Sequence, residues 1–335
     1  MRHIPGLDAI RFVCAAIVAL GHYYVDWAAQ LAFLGAMPAR LIGGLLGVIF
    51  NGPAAVIVFF VLSGLVIHLP YINGKRFDLL EYYSRRYLRI LPPVAAFFAI
   101  YLTMSDAPSS WNNTVLWSII CEAIYYLIYP AIRRIDFTQC SVIFGGITLM
   151  IAVSNSSTLL AAHNGYVAFG YGTWLIGLPC WLAGCAIATH LSEVQKVSER
   201  EIWLWRVGIL AGSIILRAAK FHAPTYLASD VVTLTLFCIP VALWIEREAR
   251  YFLNREAPWL DKLGVASYSL YLVHPLAAMA VGLAGAHFLL AYIAIAALGT
   301  VLFYFVVERT SHRAARHVGR RLTKHANPVT NGVSV

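Results

Sequence analysis

The chain consists mainly of long apolar runs separated by short polar stretches. A helix needs about 20 predominantly apolar residues to cross the hydrocarbon core of a bilayer. On that scale the pattern predicts about ten transmembrane helices, and the fold class is an all-α polytopic membrane protein. The predicted spans cover approximately residues 8–33, 53–71, 89–105, 113–132, 138–156, 170–190, 203–219, 227–246, 264–284 and 287–307.

The composition supports this class. Hydrophobic residues make up 60% of the chain and charged residues 12%, about half the charged fraction of a soluble domain. The first apolar run is long enough to remain in the membrane, so we expect no cleaved signal peptide. The six cysteines lie in or beside apolar runs, without a close Cys-x-x-Cys pair or a histidine at ligand spacing. We therefore expect neither a disulfide bond nor a bound metal.

Lysine and arginine positions predict the orientation of the spans, because cytoplasmic loops carry the excess of these residues. With ten spans and a cytoplasmic N-terminus, all of the 25 Lys and Arg residues except Arg40, Arg217 and Lys220 fall on the cytoplasmic side. We therefore predict that both termini are cytoplasmic, with a membrane domain over residues 1–308 and a basic tail over 309–335. This placement accounts for the net charge of +9, and we expect no nucleic-acid partner.

The basic tail has a helical spacing of arginines. Arg309, Arg313, Arg316 and Arg320 follow one another at intervals of four, three and four residues. Such residues share one face of a helix. We predict that this face contacts the anionic headgroups of membrane lipids.

The first span carries ionisable residues, which are costly inside a bilayer. Arg11 and His22 are eleven residues apart, which is three helical turns plus about 20°, so they share a face and lie roughly 16 Å apart along the axis. Asp8 precedes Arg11 by three residues and can pair with it at the cytoplasmic interface. His22 is then carried to mid-membrane or slightly beyond. It is either a functional residue or a core histidine with satisfied hydrogen bonds.

The fourth span carries a polar stripe on one face. Its members are Ser118, Glu122, Tyr125 and Tyr129, at helical spacing. A carboxylate at this depth must pair with a cation, accept hydrogen bonds or be protonated. Glu122 is therefore a candidate functional residue, and a structural hydrogen bond between helices is the alternative.

The ninth span places Ser267, Tyr271 and His274 on one face in the same way. His274 is followed by Pro275, which cannot donate a backbone hydrogen bond. The histidine is thus either a functional residue or a donor to the carbonyl that this proline leaves free.

An arginine cluster precedes the third span, in the stretch FDLLEYYSRRYLRILPP. Arg85, Arg86 and Arg89 are interleaved with tyrosines and come just before Pro92 and Pro93, where we expect the span to begin. The forked donors of arginine suit phosphate groups. The cluster indicates a phosphate clamp, and the alternative is membrane orientation together with lipid contact.

Five blocks together resemble the acyltransferase 3 family of bacterial membrane-bound O-acyltransferases. They are GLDAIRFVCAAIVALGH, VFFVLSGLVI, SRRYLRILPP, LWSIICEAIYYLIYP and ASYSLYLVHP, in the family's order. The resemblance implies ten core helices, an acyl-CoA donor (most commonly acetyl-CoA) on the cytoplasmic side, and a hydroxyl acceptor, commonly a sugar. It also implies a multi-pass protein of the bacterial cytoplasmic membrane that modifies cell-envelope polysaccharide or a related glycan by O-acetylation.

The resemblance also implies roles for individual residues. His22 resembles the family's catalytic histidine, Arg11 its partner, and Glu122 its acidic residue. Arg86 and Arg89 resemble its Arg-x-x-Arg pair. The chain departs from the family pattern at three positions, which bear on helix packing and acceptor preference, namely Phe12, Leu65 and Thr310.

On this interpretation His22 deprotonates the acceptor hydroxyl, or carries the acyl group itself. Arg86, Arg89 and Arg85 hold the phosphates of CoA. Glu122 either orients His22 or binds a sugar hydroxyl. Four further residues are expected to line the substrate site, namely Ser63, Trp117, Tyr126 and His274.

Two other classes of function compete with the enzyme. Membrane-embedded histidine, glutamate and tyrosine residues also suit a proton-coupled transporter or flippase. A membrane scaffold that docks lipids with its basic tail is the third class. Consumption of acyl-CoA distinguishes the enzyme from both, whereas movement of a substrate without covalent change indicates the transporter.

Overall fold

The computed structural model describes residues 4–22, 31–72, 74–105, 115–161, 165–191, 196–223, 225–253, 255–285 and 289–326. These residues form helices and connecting turns, with no strand among them. The helices are α1 Leu7–His22, α2 Ala36–Ile49, α3 Gly52–Ile72, α4 Leu79–Met104, α5 Leu116–Ile132, α6 Phe137–Ser154, α7 Ser156–Ala161, α8 Thr173–His190, α9 Glu199–His222, α10 Asp230–Phe252, α11 Asp261–Gly264, α12 Ser267–Leu283, α13 Leu289–Phe303 and α14 Arg309–Ala326.

Among the described residues, six helical stretches are long and apolar enough to cross a membrane, as expected for a multi-pass membrane protein. These are Ala36–Ile72, Leu79–Met104, Phe137–Ser154, Val167–His190, Glu199–His222 and Leu289–Gly319. The remaining predicted spans coincide with α1, α5, α10 and α12, of which α5 and α12 are shorter apolar helices. Residues 23–30 of the first predicted span lie outside the described residues.

Helices α3 and α8 cross with their backbones in direct contact. A β-carbon at Gly64 of α3 would lie 2.0 Å from the carbonyl oxygen of Trp181, and one at Gly184 of α8 would lie 2.0 Å from that of Val61. Only glycine fits at both positions, because the obstructing atoms belong to the backbone. Small residues permit such close approach between membrane helices, and here they set α3 at the centre of the core.

Helix α4 is continuous across the pair Pro92–Pro93, so our prediction that this helix begins at the prolines is wrong. It begins at Leu79, where the side chain of Asp78 accepts a hydrogen bond (2.7 Å) from the backbone N–H of Glu81. The amphipathic stretch before the prolines is stabilised by side chains that bind the neighbouring helix, a contact that local sequence does not reveal.

The tyrosines of α4 bind the backbone of α5. Tyr82 and Tyr87 donate hydrogen bonds to the carbonyls of Tyr126 (3.0 Å) and Ala123 (2.9 Å). The carbonyl of Tyr126 lies four residues before Pro130, which has no N–H to offer it. The hydroxyl of Tyr82 thus satisfies the carbonyl that the proline leaves free. These tyrosines therefore attach α4 to α5.

Charged side chains join α9 and α10 near both of their ends. Arg206 binds the buried carboxylate of Glu248 through two nitrogens, at 2.6 and 3.0 Å. At the other end, Lys220 pairs with Asp230. These pairs explain how α9 retains charged residues within an otherwise apolar helix.

Helix α14 continues the last span through a π-helical turn over Tyr304–Glu308 and packs against α4. Ser311 donates a hydrogen bond to the carbonyl of Leu88, and Gly319 lies against Arg85. The first half of the predicted basic tail is thus a helix docked on the membrane domain. Residues 327–335 lie outside the described residues.

The α3–α8 crossing generates a prediction about stability. Gly64→Ala and Gly184→Ala should each lower the free energy of unfolding by about 1–3 kcal/mol, because the added methyl group meets backbone that cannot move aside. Thermal unfolding in detergent measures the effect. Gly208→Ala is the matched control, since its β-carbon would meet nothing within 4 Å. Equal melting temperatures for all three variants would contradict the crossing.

Candidate active site

A central cavity of about 300 Å³ lies between the first helix, α3 to α5, and the last part of the chain. Both ends of the sequence contribute charged side chains to its wall, although they are far apart in the sequence. The charged and titratable acid–base residues of this wall are Asp8, Arg11, Arg86, Arg89, Glu122, Glu308, His312 and Arg316. The cavity therefore brings together six of the predicted site residues, namely Arg11, Ser63, Arg86, Arg89, Glu122 and Tyr126.

Arg11 is held by local and tertiary contacts. Its Nη1 donates a hydrogen bond to Asp8 at 2.6 Å, which confirms the predicted pair one turn apart. The start of α1 is fixed in turn by Asp261, whose carboxylate accepts the backbone N–H of Ala9 at 2.9 Å. Arg11 is thus presented to the cavity from an anchored helix end.

The three clustered arginines separate into two environments. Arg85 pairs with Glu81 (2.8 Å) and is absent from the cavity wall. Arg86 and Arg89 line the cavity, and neither lies within 4 Å of a carboxylate of the described residues. Arg86 instead lies over the ring of Tyr126, 5.4 Å from its centroid. Two guanidinium groups therefore face the cavity without a direct ion pair to a carboxylate of the described residues.

Glu122 accepts hydrogen bonds from two neighbouring hydroxyl groups. Ser63 of α3 donates to its Oε1 at 2.6 Å, and Tyr126, one turn further along α5, donates to the same oxygen. The two hydroxyls are 3.1 Å apart. Ser63 and Tyr126, two of the predicted substrate-lining residues, both line the cavity. These bonds fix the carboxylate as an acceptor in the cavity wall.

The inner end of the cavity is bounded by Ser118 and Tyr271, whose hydroxyl oxygens are 2.6 Å apart. The ring of Tyr271 packs edge-on against that of His274, with centroids 5.8 Å apart. His274 is in turn 5.4 Å from the ring of His22. The two histidines therefore lie beyond the cavity, behind Tyr271.

His22 is exposed at the end of α1, and its orientation is set by its own helix. Its Nδ1 lies 2.9 Å from the carbonyl oxygen of Val18. Because a carbonyl can only accept, Nδ1 carries the proton in the neutral ring and Nε2 has a free lone pair. The imidazole lies beside Gly52, where a β-carbon would be 3.6 Å from its Cε1. His22 thus presents one basic nitrogen.

His274 is almost completely buried, with 1% of its surface exposed. Neither ring nitrogen has a hydrogen-bond partner among the described residues. The backbone carbonyls of Leu270 and Tyr271, on the preceding turn, lie near the ring as possible acceptors, but neither makes a hydrogen bond of regular geometry with it. Tyr271 carries the carbonyl that Pro275 leaves free, and no hydrogen bond of regular geometry joins it to His274.

Trp117 lies outside the cavity wall. Its ring stacks on Tyr166 with centroids 5.8 Å apart, and it meets Phe60 edge-on at 6.5 Å. Phe60 does line the cavity. Trp117 thus supports the wall from behind.

Three cavity residues near the end of the chain were not predicted as site residues. Glu308 is buried and accepts hydrogen bonds from the backbone and side chain of Ser269. His312 lies 3.6 Å from Glu308, and Arg316 follows one turn later. Glu308 could have been predicted as a site residue, because a carboxylate at the end of an apolar run is costly in a membrane. Arg316 had been assigned to lipid contact, because the docking of α14 is not visible in the sequence.

The described residues contain no group of three or more His, Cys, Asp or Glu side chains that could hold a metal ion. The polar groups of the cavity instead combine cationic, acidic and hydroxyl side chains. Such a wall suits an anionic organic molecule with hydrogen-bonding groups along its length.

Comparison with known proteins identifies the family. A family model described as an acyltransferase domain, that of acyltransferase 3, matches residues 4–309. The chain belongs to the acyltransferase 3 family. No solved structure matches this member of the family.

Two curated relatives are similar over most of the chain. The O-acetyltransferase OatA of Staphylococcus aureus is 25% identical over 335 residues, covering 82% of this chain and 50% of OatA. The acyltransferase MdmB of Streptomyces mycarofaciens is 23% identical over 312 residues, covering 81% of this chain and 78% of MdmB. The chain thus spans about half the length of OatA.

The Glu122 cluster generates a second stability prediction. Tyr126→Phe should lower the free energy of unfolding by about 1.5–3 kcal/mol, because a half-buried carboxylate loses a donor. Thermal unfolding at neutral pH measures the loss. Tyr83→Phe is the control, since the Tyr83 hydroxyl binds a neutral carbonyl, that of Leu127, on the exposed side. An equal or smaller loss for Tyr126→Phe would show that Glu122 does not depend on this bond.

Proposed function

We propose that this protein is a membrane O-acyltransferase that moves an acyl group, acetyl in the first instance, from cytoplasmic acyl-CoA to a hydroxyl of a sugar or glycan. One observation carries the proposal. Arg86 and Arg89 face a cavity without carboxylate partners among the described residues, and the far end of that cavity borders a pair of histidines. The printed names of OatA and MdmB support the same reaction class.

The proposed topology has ten transmembrane helices with both termini in the cytoplasm of a bacterial cell. The six long apolar stretches and the four helices at the remaining predicted positions support this count. The distribution of Lys and Arg supports the orientation. Residues 1–308 form the membrane domain and 309–335 the basic tail, which places the cavity arginines at the cytoplasmic side.

The arginines of the cavity bind the phosphates of CoA in this proposal. Arg86 and Arg89 supply forked donors, and Arg11 and Arg316 add positive charge to the same wall. Arg85 pairs with Glu81 within α4 and lies against Gly319 of α14, so in this proposal it supports the phosphate site and does not contact the phosphates. The pantetheine arm then extends along the cavity, so that the thioester lies near Tyr271.

His22 is the proposed general base. Its Nε2 removes the proton of the acceptor hydroxyl, and the oxygen attacks the thioester carbonyl carbon. The tetrahedral intermediate collapses with cleavage of the carbon–sulfur bond, and the thiolate of CoA takes up a proton. The hydrogen bond to the Val18 carbonyl supports this role, because it keeps Nε2 free to accept. A positioned base of this kind contributes about 10²- to 10⁴-fold to the rate.

Glu122 binds substrate in this proposal rather than orienting His22. Its hydrogen bonds to Ser63 and Tyr126 support the assignment, since they fix an acceptor oxygen in the cavity wall. Amide N–H or hydroxyl groups of a bound substrate are suitable donors to such a carboxylate. Trp117 supports this wall, and His274 borders the reacting end.

The role of His22 is tested by transfer from acetyl-CoA labelled in the acetyl group. Membranes containing the wild-type protein should label a crude host glycan fraction, and His22→Ala should lower this rate by about 10²-fold or more. His222→Ala is the matched control, because the Nδ1 of His222 is bonded to the Ala218 carbonyl in the same way at the end of α9. If His22→Ala transfers label like the control at equal expression, the proposed base is wrong.

The phosphate clamp is tested by comparing donors. Arg86→Gln and Arg89→Gln should each raise the KM for acetyl-CoA by about tenfold, because each charge-assisted hydrogen bond contributes about 1.5 kcal/mol or more. They should affect acetyl-pantetheine much less, since this donor lacks the nucleotide phosphates. Arg134→Gln, an exposed arginine on the predicted cytoplasmic side, is the control. An equal rise in KM for both donors would show that Arg86 and Arg89 do not bind the phosphates of CoA.

A further inference from the structure

Two buried histidines differ in how their ring nitrogens are satisfied. His68 is 4% exposed, and its Nδ1 lies 2.8 Å from the hydroxyl of Tyr129. His274 is 1% exposed, and neither of its ring nitrogens has a hydrogen-bond partner among the described residues. A buried polar group without a partner lowers the stability of the folded protein. A catalytic role explains why a protein retains such a group, because the group then finds its hydrogen-bond partner during the reaction.

The position of His274 indicates which reaction step it serves. On one side its ring is 5.4 Å from His22. On the other side it packs against Tyr271, which lines the cavity. His274 therefore lies between the proposed base and the cavity in which the donor is bound. The proton that His22 removes must finally reach the sulfur of CoA, which lies on the cavity side.

We propose that His274 relays this proton from His22 to the leaving thiolate. This inference rests on the proposed function. The acceptor O–H bond breaks as Nε2 of His22 takes the proton, and the new ester forms as the carbon–sulfur bond breaks. Protonated His22 gives its proton to one nitrogen of His274, and the other nitrogen of His274 gives a proton to the thiolate. The products are the ester and CoA with a free thiol, so atoms and charge balance.

An imidazole suits this step because it can accept at one nitrogen while it donates at the other. That role requires both nitrogens to be available before the reaction, and neither nitrogen of His274 makes a regular hydrogen bond to a described residue. Ring centroids 5.4 Å apart permit transfer directly after a small ring rotation or through one water molecule. A histidine with a purely structural role would instead resemble His68, with a nitrogen held by a neighbouring hydroxyl.

The experiment compares His274 variants in the labelled acetyl-CoA assay. His274→Gln should lower the transfer rate by about 10²-fold, the lower end for a proton-transfer group, and leave the KM for acetyl-CoA near the wild-type value. His274→Ala should regain rate on addition of imidazole. Pyrazole, which has the same ring shape but is a far weaker base, should fill the space without restoring the rate. His68→Gln is the control for loss of a buried histidine.

Each outcome is decisive for the relay. A rate for His274→Gln similar to that of His68→Gln, at equal amounts of folded protein, would overturn it. Equal rescue of His274→Ala by imidazole and pyrazole would also overturn it, because filling the space would then be sufficient. If His22→Ala loses activity while His274→Gln keeps full activity, the relay is contradicted and His22 is still the proposed base. If His22→Ala keeps full activity, the assignment of His22 as the general base is wrong.

Discussion

The contact between the backbones of α3 and α8 is the constraint on which the rest of the structure depends. Gly64 and Gly184 leave no room for a β-carbon on either helix, so the rotation of α3 about its axis is fixed. Successive residues of a helix point about 100° apart. With Gly64 turned towards α8, its neighbour Ser63 is turned towards Glu122 of α5. One pair of glycines thus determines which face of α3 forms the cavity wall.

Electrostatics divides the charged residues into two groups with different consequences. Arg85 and Arg206 are paired with nearby carboxylates, Arg85 within its own helix and Arg206 with Glu248 of the neighbouring helix. Arg86 and Arg89 lack such partners in the described part of the chain and face the cavity. A charge in a low-dielectric site is costly unless it is paired. The cavity therefore favours an anion at one end, and its other end leads through Tyr271 to the rings of His274 and His22.

The cavity depends on both ends of the membrane domain. Asp8 and Arg11 enter it from α1, and Glu308 and Arg316 enter it from the last span and α14. The middle of the chain contributes support instead of cavity residues, as in the ion pair between Arg206 and Glu248. This arrangement explains why the blocks that resemble the family lie mainly in the first third and near the end of the sequence, while the intervening part is chiefly hydrophobic.

The sequence by itself determined the helical class, the positions of most helices, and contacts within one helix such as Asp8 with Arg11. These follow from apolar run length and from helical periodicity, which are local properties. Only the tertiary structure decided that α4 continues through Pro92–Pro93. It also decided that Arg86 lines the cavity and Arg85 does not. It also brought His22 beside His274. Such features depend on which helices pack together and at what rotation, which no local pattern specifies.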